Sequence, residues 1–171
     1  WIPGDTISVS VGQGYNSLTI TQLAQATSTL AANGVYTKPH LVNWIENPVL
    51  KKVEQTVSEP EYTVDVSQEH IDLVKSALAE VNAKGTARRI FAGAGYDSAG
   101  KTGTAQVFSL KGTKYKAEAL NKRLHDHALY MGFAPVENPQ IAVALIVENG
   151  GWGSSVAAPI ARKVFDYWLA P

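Results

Sequence analysis

Three stretches of the chain place apolar residues at the spacing of an amphipathic helix. The first is Thr21–Asn33, whose start Thr19 or Thr21 can cap. The second is Ser67–Ala83, which begins with a serine that suits an N-cap. Its predicted apolar stripe consists of Ile71, Val74, Leu78 and Val81. The third helix lies near the end of the chain, where Ser154 or Ser155 is expected to cap its start. Its predicted core face consists of Ile160, Val164, Phe165 and Trp168.

Other apolar residues alternate or cluster as they do in β-strands. Ile7–Val11 alternates like a short extended segment, and Val49–Val66 alternates weakly, like an edge hairpin. Lys101–Phe108 also has the composition of a strand. Ala128–Ala134 and Ile141–Val147 are separated by a short turn, so they predict an antiparallel hairpin. Helices, then three strands, then a final helix indicate an α+β fold with an antiparallel sheet.

Composition narrows the functional classes. The chain has 171 residues, with 15 Lys+Arg against 15 Asp+Glu, and 45% of its residues are hydrophobic. A net charge of zero argues against a nucleic-acid binder that relies on bulk phosphate attraction. The apolar content is that of a globular domain. Because the chain has no cysteine, it contains no disulfide and no thiolate chemistry.

Neither a signal peptide nor a membrane span is expected within this sequence. The longest apolar run is Ile141–Val147, whereas a spanning helix needs about 20 residues. The chain starts at Trp1, and its one methionine is Met131. We therefore expect a piece of a longer protein, with any membrane anchor upstream.

Lys101 lies in three overlapping sequence motifs. Gly95–Thr102 fits the P-loop pattern GxxxxGK[ST], but a P-loop must lead into a helix, and here a predicted strand follows. Ser98 and Lys101 fit the SxxK pattern of serine nucleophiles, which requires both residues on one face of a helix. On a strand, residues three apart face opposite sides. We therefore expect neither a nucleotide site nor a nucleophile at Ser98.

The third interpretation treats Lys101–Thr104 (KTGT) as a binding strand. Thr102 and Thr104 share one face of a strand, and with Lys101 nearby they can hold a carboxylate. Gly103 lacks a side chain, so a peptide can approach the backbone, and the N–H that follows can contribute to an oxyanion hole. The alternative is an ordinary edge strand with polar ends.

The order of several motifs favours the binding strand. Lys101–Val107 (KTGTAQV) resembles the third active-site motif of penicillin-binding transpeptidases. Segments that resemble other parts of that family occur in the same order: Gly4–Thr6, Gly12–Gly14, Thr21–Ala24, His127–Pro135, Ile141–Gly151 and Ala157–Pro159. Arg123–His127 and Glu148–Gly151 are most similar to the elongation-type class B members, the penicillin-binding protein 2 group.

This resemblance implies the penicillin-binding and serine-β-lactamase-like fold, an α+β architecture with an antiparallel sheet flanked by helices. It implies a peptidoglycan D,D-transpeptidase of cell-wall elongation that is inhibited by β-lactams. Lys101 would supply positive charge and relay protons, and Thr102 and Thr104 would bind the terminal carboxylate. Gly103 would keep the strand open, and the Thr104 N–H would complete the oxyanion hole.

The family also needs a Ser-x-x-Lys helix and a Ser-x-Asn or Ser-x-Asp motif. Apart from the rejected Ser98, no serine in this chain begins either motif. Residues 1–171 are therefore expected to form the C-terminal portion of a single transpeptidase domain that is inactive alone. Since the first strands of the family's sheet also lie upstream, a sheet edge and one helix face should be uncovered.

The resemblance also implies the ligands and partners. The ligands would be peptidoglycan stem peptides and β-lactams, with no nucleic acid and no cofactor in this chain. The partners would be the N-terminal part of the same protein and a membrane glycosyltransferase that polymerises lipid II. The protein would lie on the periplasmic face of the bacterial inner membrane, anchored by an upstream helix. The zinc that some relatives carry would bind upstream of this chain.

Other candidate residues carry weaker signals. His125 and His127 share a side of an extended segment and suit a metal, but no third ligand is evident. Trp152 suits either a cleft wall or ordinary packing. A solvated basic loop contains Lys111, Lys114, Lys116, Lys122 and Arg123. Two functional alternatives stay open, a β-lactamase-like or β-lactam-sensing relative and a non-catalytic penicillin-recognising module.

Overall fold

The computed structural model describes residues 2–12, 14, 16–107 and 121–170. Its helices are α1 (Pro3–Ser10), α2 (Ile20–Ala31), α3 (Gln68–Ala83), α4 (Arg88–Phe91) and α5 (Ala157–Leu169). Its strands are β1 (Val35–Thr37), β2 (Trp44–Asn47), β3 (Lys52–Gln55), β4 (Pro60–Thr63), β5 (Ala99–Ala105), β6 (His127–Ala134) and β7 (Ile141–Val147). A short 3₁₀ turn covers Lys122–Leu124.

The central element is an antiparallel three-stranded sheet in the order β5–β6–β7. β6 pairs with β5 from Ala99↔Phe133 to Ala105↔His127, and with β7 from Ala128↔Val147 to Ala134↔Ile141. This pairing confirms the predicted β6–β7 hairpin. The predicted strand from Lys101 is also confirmed, although it begins two residues earlier, at Ala99.

One face of the sheet is covered by α5, whose buried residues are Ala157, Ala158, Ala161 and Phe165. Three of these four are alanines, so the helix approaches the strands closely. The predicted core face is wrong at two positions, because Ile160 is 41% exposed and Trp168 is 59% exposed. The buried stripe consists of three alanines and the predicted Phe165. The predicted serine cap is also wrong, because Val156 occupies the N-cap position and makes no side-chain hydrogen bond there.

The opposite face is covered by α2 and by the middle of α3, whose C-terminal end reaches the α5 side through Val81 and Asn82. Ala31 of α2 packs in a cluster with Ala99 and Phe133 of the sheet. The capped starts of both helices match the sequence prediction, since Thr19 caps α2 and Ser67 caps α3 through side-chain hydrogen bonds.

The predicted stripe of α3 is partly wrong. Val74 is 46% exposed, whereas the polar residues Lys75 and Asn82 are buried. The Lys75 Nζ donates to Asn33 Oδ1 at 2.8 Å and lies 5.7 Å from the centre of the Phe133 ring. These partners allow a charged residue to take a core position.

The N-terminal segment differs from its prediction. Ile7–Val11 was expected to be extended, but most of it lies in α1. Pro3 occupies the first turn, and the Ile2 N–H donates to the Asp5 carboxylate at 3.0 Å. A proline and an acidic residue at these positions start a helix, and this local signal outweighs the alternation.

The hairpin predicted over Val49–Val66 is placed differently. β2 pairs with β3, so Val49 and Leu50 lie in the turn, where their N–H groups donate to Asn47 Oδ1 at 3.1 and 3.0 Å. β4 pairs with β1 in a separate two-stranded sheet. An asparagine at the turn therefore sets the hairpin earlier in the chain than the alternation indicated.

Several surfaces are open. An apolar groove of about 570 Å³ lies between α2, α3 and the β1–β4 sheet. Within the described residues, β5 and β7 each have one edge without a strand partner. No helix in the described part of the chain combines the length and apolar character needed to cross a bilayer.

Candidate active-site strand

The KTGT motif lies on β5, at an edge of the sheet. Lys101 pairs with Met131, Thr102 with Tyr130, Gly103 with Leu129 and Thr104 with Ala128. In the described structure no strand lies on the other side of β5. An extended ligand can therefore pair with this free edge through main-chain hydrogen bonds.

The motif side chains divide between the two faces of β5. Thr102 and Thr104 share the face covered by α5, as the sequence predicted, and both are partly exposed. Lys101 and Gly103 belong to the opposite face, since successive strand residues alternate. The Lys101 side chain is exposed, and its Nζ donates to the backbone oxygen of Thr102 at 2.8 Å.

Both threonine hydroxyls have partners outside the motif. Thr102 Oγ1 lies 3.0 Å from Thr86 Oγ1, in the turn between α3 and α4. Thr104 Oγ1 accepts a long hydrogen bond of 3.4 Å from the Gly153 N–H, in the loop between β7 and α5. A backbone N–H only donates, so this contact leaves the single Thr104 proton available to a ligand.

Gly153 is a required glycine. A Cβ at this position would overlap the Gly103 carbonyl oxygen and would lie 2.5 Å from the Leu129 oxygen. The loop therefore passes directly against β5 and β6 only because residue 153 has no side chain. This close approach brings the Gly153 N–H to Thr104.

A buried polar network fixes the end of α3 against the sheet. Asn82 Nδ2 donates to Ser98 Oγ and to the Tyr130 hydroxyl, both at 2.9 Å. Burial raises the pKa of Tyr130, although the hydrogen bond with Asn82 opposes that rise. A Cβ on Gly100 or Gly132 would collide with Tyr130, so the two glycines make room for its ring. The network positions the α3–α4 turn beside Thr102.

Ser98 is unsuited to be a nucleophile. Its side chain is 7% exposed, and its hydroxyl accepts from Asn82 at 2.9 Å. It lies outside any helix, directly before β5, so Ser98 and Lys101 do not share a helical face. β5 also occupies the place where a P-loop would continue into a helix. The structure agrees with the rejection of both motifs.

A second polar cluster joins α5 to the segment after α4. The Arg162 Nε donates to Asp166 at 2.6 Å, and its guanidinium also donates to the Ile90 oxygen at 3.0 Å. The Tyr96 hydroxyl donates to Asp166 at 2.7 Å. Burial acts to raise the pKa of Asp166, but hydrogen bonds from Tyr96 and Arg162 outweigh it and lower that pKa.

The two histidines considered as metal ligands lie near the β7–α5 loop. The Asn149 N–H donates to His127 Nδ1 at 2.9 Å, and the Asn149 side chain donates to the His125 oxygen at 2.9 Å. One His127 ring nitrogen is thus used to fix the loop. Within the described residues, no three His, Asp or Glu side chains group as metal ligands.

Two further candidates from the sequence are Trp152 and the basic loop. Trp152 is 67% exposed, immediately before Gly153. Of the predicted basic loop, Lys122 and Arg123 form the 3₁₀ turn. Lys111, Lys114 and Lys116 lie outside the described residues, as does the end of the predicted strand at Phe108.

Comparison with known proteins identifies the family. The sequence profile of the penicillin binding protein transpeptidase domain matches residues 1–166. The chain belongs to this transpeptidase family. The peptidoglycan D,D-transpeptidase MrdA of Haemophilus influenzae is 47% identical over 171 residues, which cover 99% of this chain and 26% of that protein. The MrdA of Escherichia coli K12 is 39% identical over 98% of this chain and 26% of its own length.

Solved structures agree with this family. The crystal structure of Pseudomonas aeruginosa PBP2 in complex with WCK 5153 has a TM-score of 0.79 and 40% identity, covering 100% of this chain and 34% of that chain. PBP2 of Helicobacter pylori, in complex with MreC, has a TM-score of 0.73 and 26% identity over 99% of this chain and 28% of the other. The predicted resemblance and the transpeptidase fold are confirmed.

This member of the transpeptidase family spans about a quarter of the length of the curated relatives it matches, and 26% of the length of the Haemophilus influenzae protein. Sequence reasoning located the KTGT strand but missed the residues around it. The missed residues are single positions that follow no periodic sequence pattern. They are Asn82, Thr86, Tyr130 and Gly153. The glycines opposite Tyr130 and the glycine-rich loop at residues 150–153 were the available signals.

Proposed function

We propose that this chain forms one wall of the active site of a peptidoglycan D,D-transpeptidase of cell-wall elongation. The observation that carries the proposal is the KTGT motif on β5, with Thr102 and Thr104 on one face and an edge that no strand of the described residues covers. A strand of this kind binds an extended peptide and holds its terminal carboxylate. Membership of the transpeptidase family supports the same reaction class.

The proposed reaction is acyl transfer. A serine outside this chain attacks the carbonyl carbon of the D-Ala-D-Ala peptide bond, and that C–N bond breaks. The released D-Ala takes a proton as it leaves. An amine of a neighbouring stem peptide then attacks the acyl-enzyme ester, forms the cross-link and frees the serine. β-Lactams would acylate the same serine.

Each motif residue has a proposed role. Thr102 and Thr104 donate hydroxyl protons to the substrate carboxylate, and the Thr104 N–H helps to stabilise the oxyanion. Gly103 lets the peptide approach the strand. Lys101 supplies positive charge and proton relay at the strand edge. In this proposal residues 1–171 are the C-terminal portion of one transpeptidase domain, and the Ser-x-x-Lys helix and the second motif come from the N-terminal part.

The wider setting belongs to the same proposal. Relatives that cover the chain carry the name peptidoglycan D,D-transpeptidase, which supports stem peptides as substrates. We place the protein on the periplasmic face of the bacterial inner membrane, anchored upstream. Its partner there would be a lipid-II-polymerising glycosyltransferase.

The proposal is tested by removing the motif hydroxyls in the full-length protein. Thr102→Val and Thr104→Val should each lower the rate of acylation by a fluorescent penicillin roughly 10- to 100-fold, because each removes a donor to a carboxylate. Thr37→Val, at an exposed strand position of β1, is the matched control and should leave that rate unchanged. Equal labelling of all four proteins would contradict the proposed role of β5.

A further inference from the structure

A small cavity lies next to Thr86, the residue whose hydroxyl is in contact with Thr102 on β5. It has a volume of about 430 Å³ and lies between the α3–α4 turn and the start of α5. Its described lining residues are Gly85, Thr86, Arg88, Arg89, Ile90, Ser154 and Ser155. The described lining thus includes two arginines and three hydroxyl-bearing residues, and no acidic residue.

The cavity is connected to the KTGT motif through one residue. Thr86 lines it and also lies 3.0 Å, hydroxyl to hydroxyl, from Thr102. On its other side, Ser154 and Ser155 follow Gly153, whose N–H donates to Thr104. Thr102 is therefore in contact with a residue that lines the cavity, and Thr104 with the residue next to its other wall.

The two faces of β5 differ in the cation that each has available. Lys101 belongs to the opposite face, and its ammonium donates to the backbone oxygen of Thr102. On the threonine face the cavity supplies Arg88 and Arg89. In the part of the chain that the structure describes, neither guanidinium has an ion-pair partner, whereas Arg162 is paired with Asp166.

Unpaired guanidinium groups beside hydroxyl donors match the chemistry of a carboxylate. Arginine binds carboxylates through two parallel N–H donors, and charge-assisted hydrogen bonds are stronger than neutral ones. A carboxylate held by Thr102 and Thr104 would be close to the mouth of this cavity. It would meet positive charge on the same face as its hydroxyl donors.

We propose that Arg88 and Arg89, with the cavity they line, form an anion subsite that binds the ligand carboxylate together with Thr102 and Thr104. The ligand class is a peptide or β-lactam with a free carboxylate. This inference rests on the proposed function, because it assigns further binding residues to the same site. It gives the threonine face a source of positive charge that is independent of Lys101.

The test compares benzylpenicillin with its methyl ester, which differ in the charge of one carboxyl group. The second-order rate constant for acylation is measured with both compounds on the full-length protein and on the double variant Arg88→Gln/Arg89→Gln. Benzylpenicillin should react roughly tenfold more slowly with the variant, about the effect of one charge-assisted hydrogen bond. The methyl ester should react with the double variant within about twofold of its rate with the wild-type protein, because the ester lacks the charge that the arginines bind.

Two further variants separate charge from structure. Arg88→Lys/Arg89→Lys keeps the charge and should recover at least part of the benzylpenicillin rate. Lys163→Gln removes a positive charge from an exposed position of α5 and should change neither rate. Added salt should slow benzylpenicillin acylation more in wild type than in the double glutamine variant, since salt screens the lost attraction.

Each other outcome overturns the proposal. If the double glutamine variant leaves the benzylpenicillin rate unchanged, the arginines do not serve the carboxylate. If both compounds slow equally, the arginines support the fold and do not recognise charge. If neither compound acylates the wild-type protein, the proposed transpeptidase function itself fails, and that result is distinct from the first two.

Discussion

The β5–β6–β7 sheet and the β2–β3 hairpin are both antiparallel and regularly paired, but they differ in what covers them. Most of β6 is buried between α5 on one face and α2 and α3 on the other. Every residue of β2 and β3 is exposed. Backbone pairing is therefore common to both regions, and burial by helices distinguishes them.

This difference explains where the candidate site lies. A sheet held on both faces can keep Thr102, Thr104 and the Gly103 main chain at fixed positions for a ligand. A hairpin without a covered face cannot hold side chains in this way. We expect substitutions in the sheet region to be costly and equivalent substitutions in the hairpin to be tolerated.

The largest expected difference comes from truncating one apolar residue in each region. Phe165→Ala should destabilise the full-length protein by about 3–5 kcal/mol, because Phe165 is fully buried against the sheet and leaves a cavity. Ile45→Ala in the hairpin should change stability by less than about 0.5 kcal/mol, since Ile45 is 60% exposed. Urea denaturation measures both. Similar losses would show that another surface covers the hairpin.

A smaller effect is expected from Gly153→Ala. The added Cβ meets backbone atoms of β5 and β6, so the loop must move away, at a cost of about 1–3 kcal/mol. The displaced loop would also withdraw its N–H from Thr104, so penicillin acylation should slow. Gly4→Ala in α1 is the control, because nothing lies within 4 Å of a Cβ there. Wild-type stability and labelling in Gly153→Ala would refute the close approach.

The smallest effect concerns acid stability. The folded-state pKa of Asp166 is lowered, so its ionised form stabilises the protein above the ordinary aspartate pKa, and that contribution is lost as the pH falls through the lowered value. Asp166→Asn should destabilise by about 1 kcal/mol at neutral pH, since the carboxylate is partly exposed. The difference in unfolding free energy between the wild type and this variant should become smaller below a pH of about 4. A difference in unfolding free energy that does not change with pH would show that the Asp166 carboxylate does not stabilise the fold.

Sequence patterns predicted the regions in which apolar spacing decides the structure. The β6–β7 hairpin and the capped starts of α2 and α3 were predicted because their signals are local. The core face of α5 was predicted correctly at Phe165 but wrongly at Ile160 and Trp168, because close packing on the sheet selected alanines there.

Much of the site's surroundings could not be predicted. Lys75 and Asn82 are buried only because tertiary partners satisfy them, and neither partner is a neighbour in sequence. The same holds for Thr86, which meets Thr102 across 16 residues, and for Gly153, which meets Thr104 across 49. The motif is visible in the sequence, whereas the residues that orient it depend on long-range contacts.

The central claim is that β5 is the wall of the active site that lacks the nucleophile. The most direct test is to label the full-length protein with benzylpenicillin, digest it and locate the adduct by peptide mass spectrometry. We predict an adduct on a serine outside residues 1–171, with Lys101–Thr104 unmodified. An adduct on Ser98 or on any other serine of this chain would contradict it.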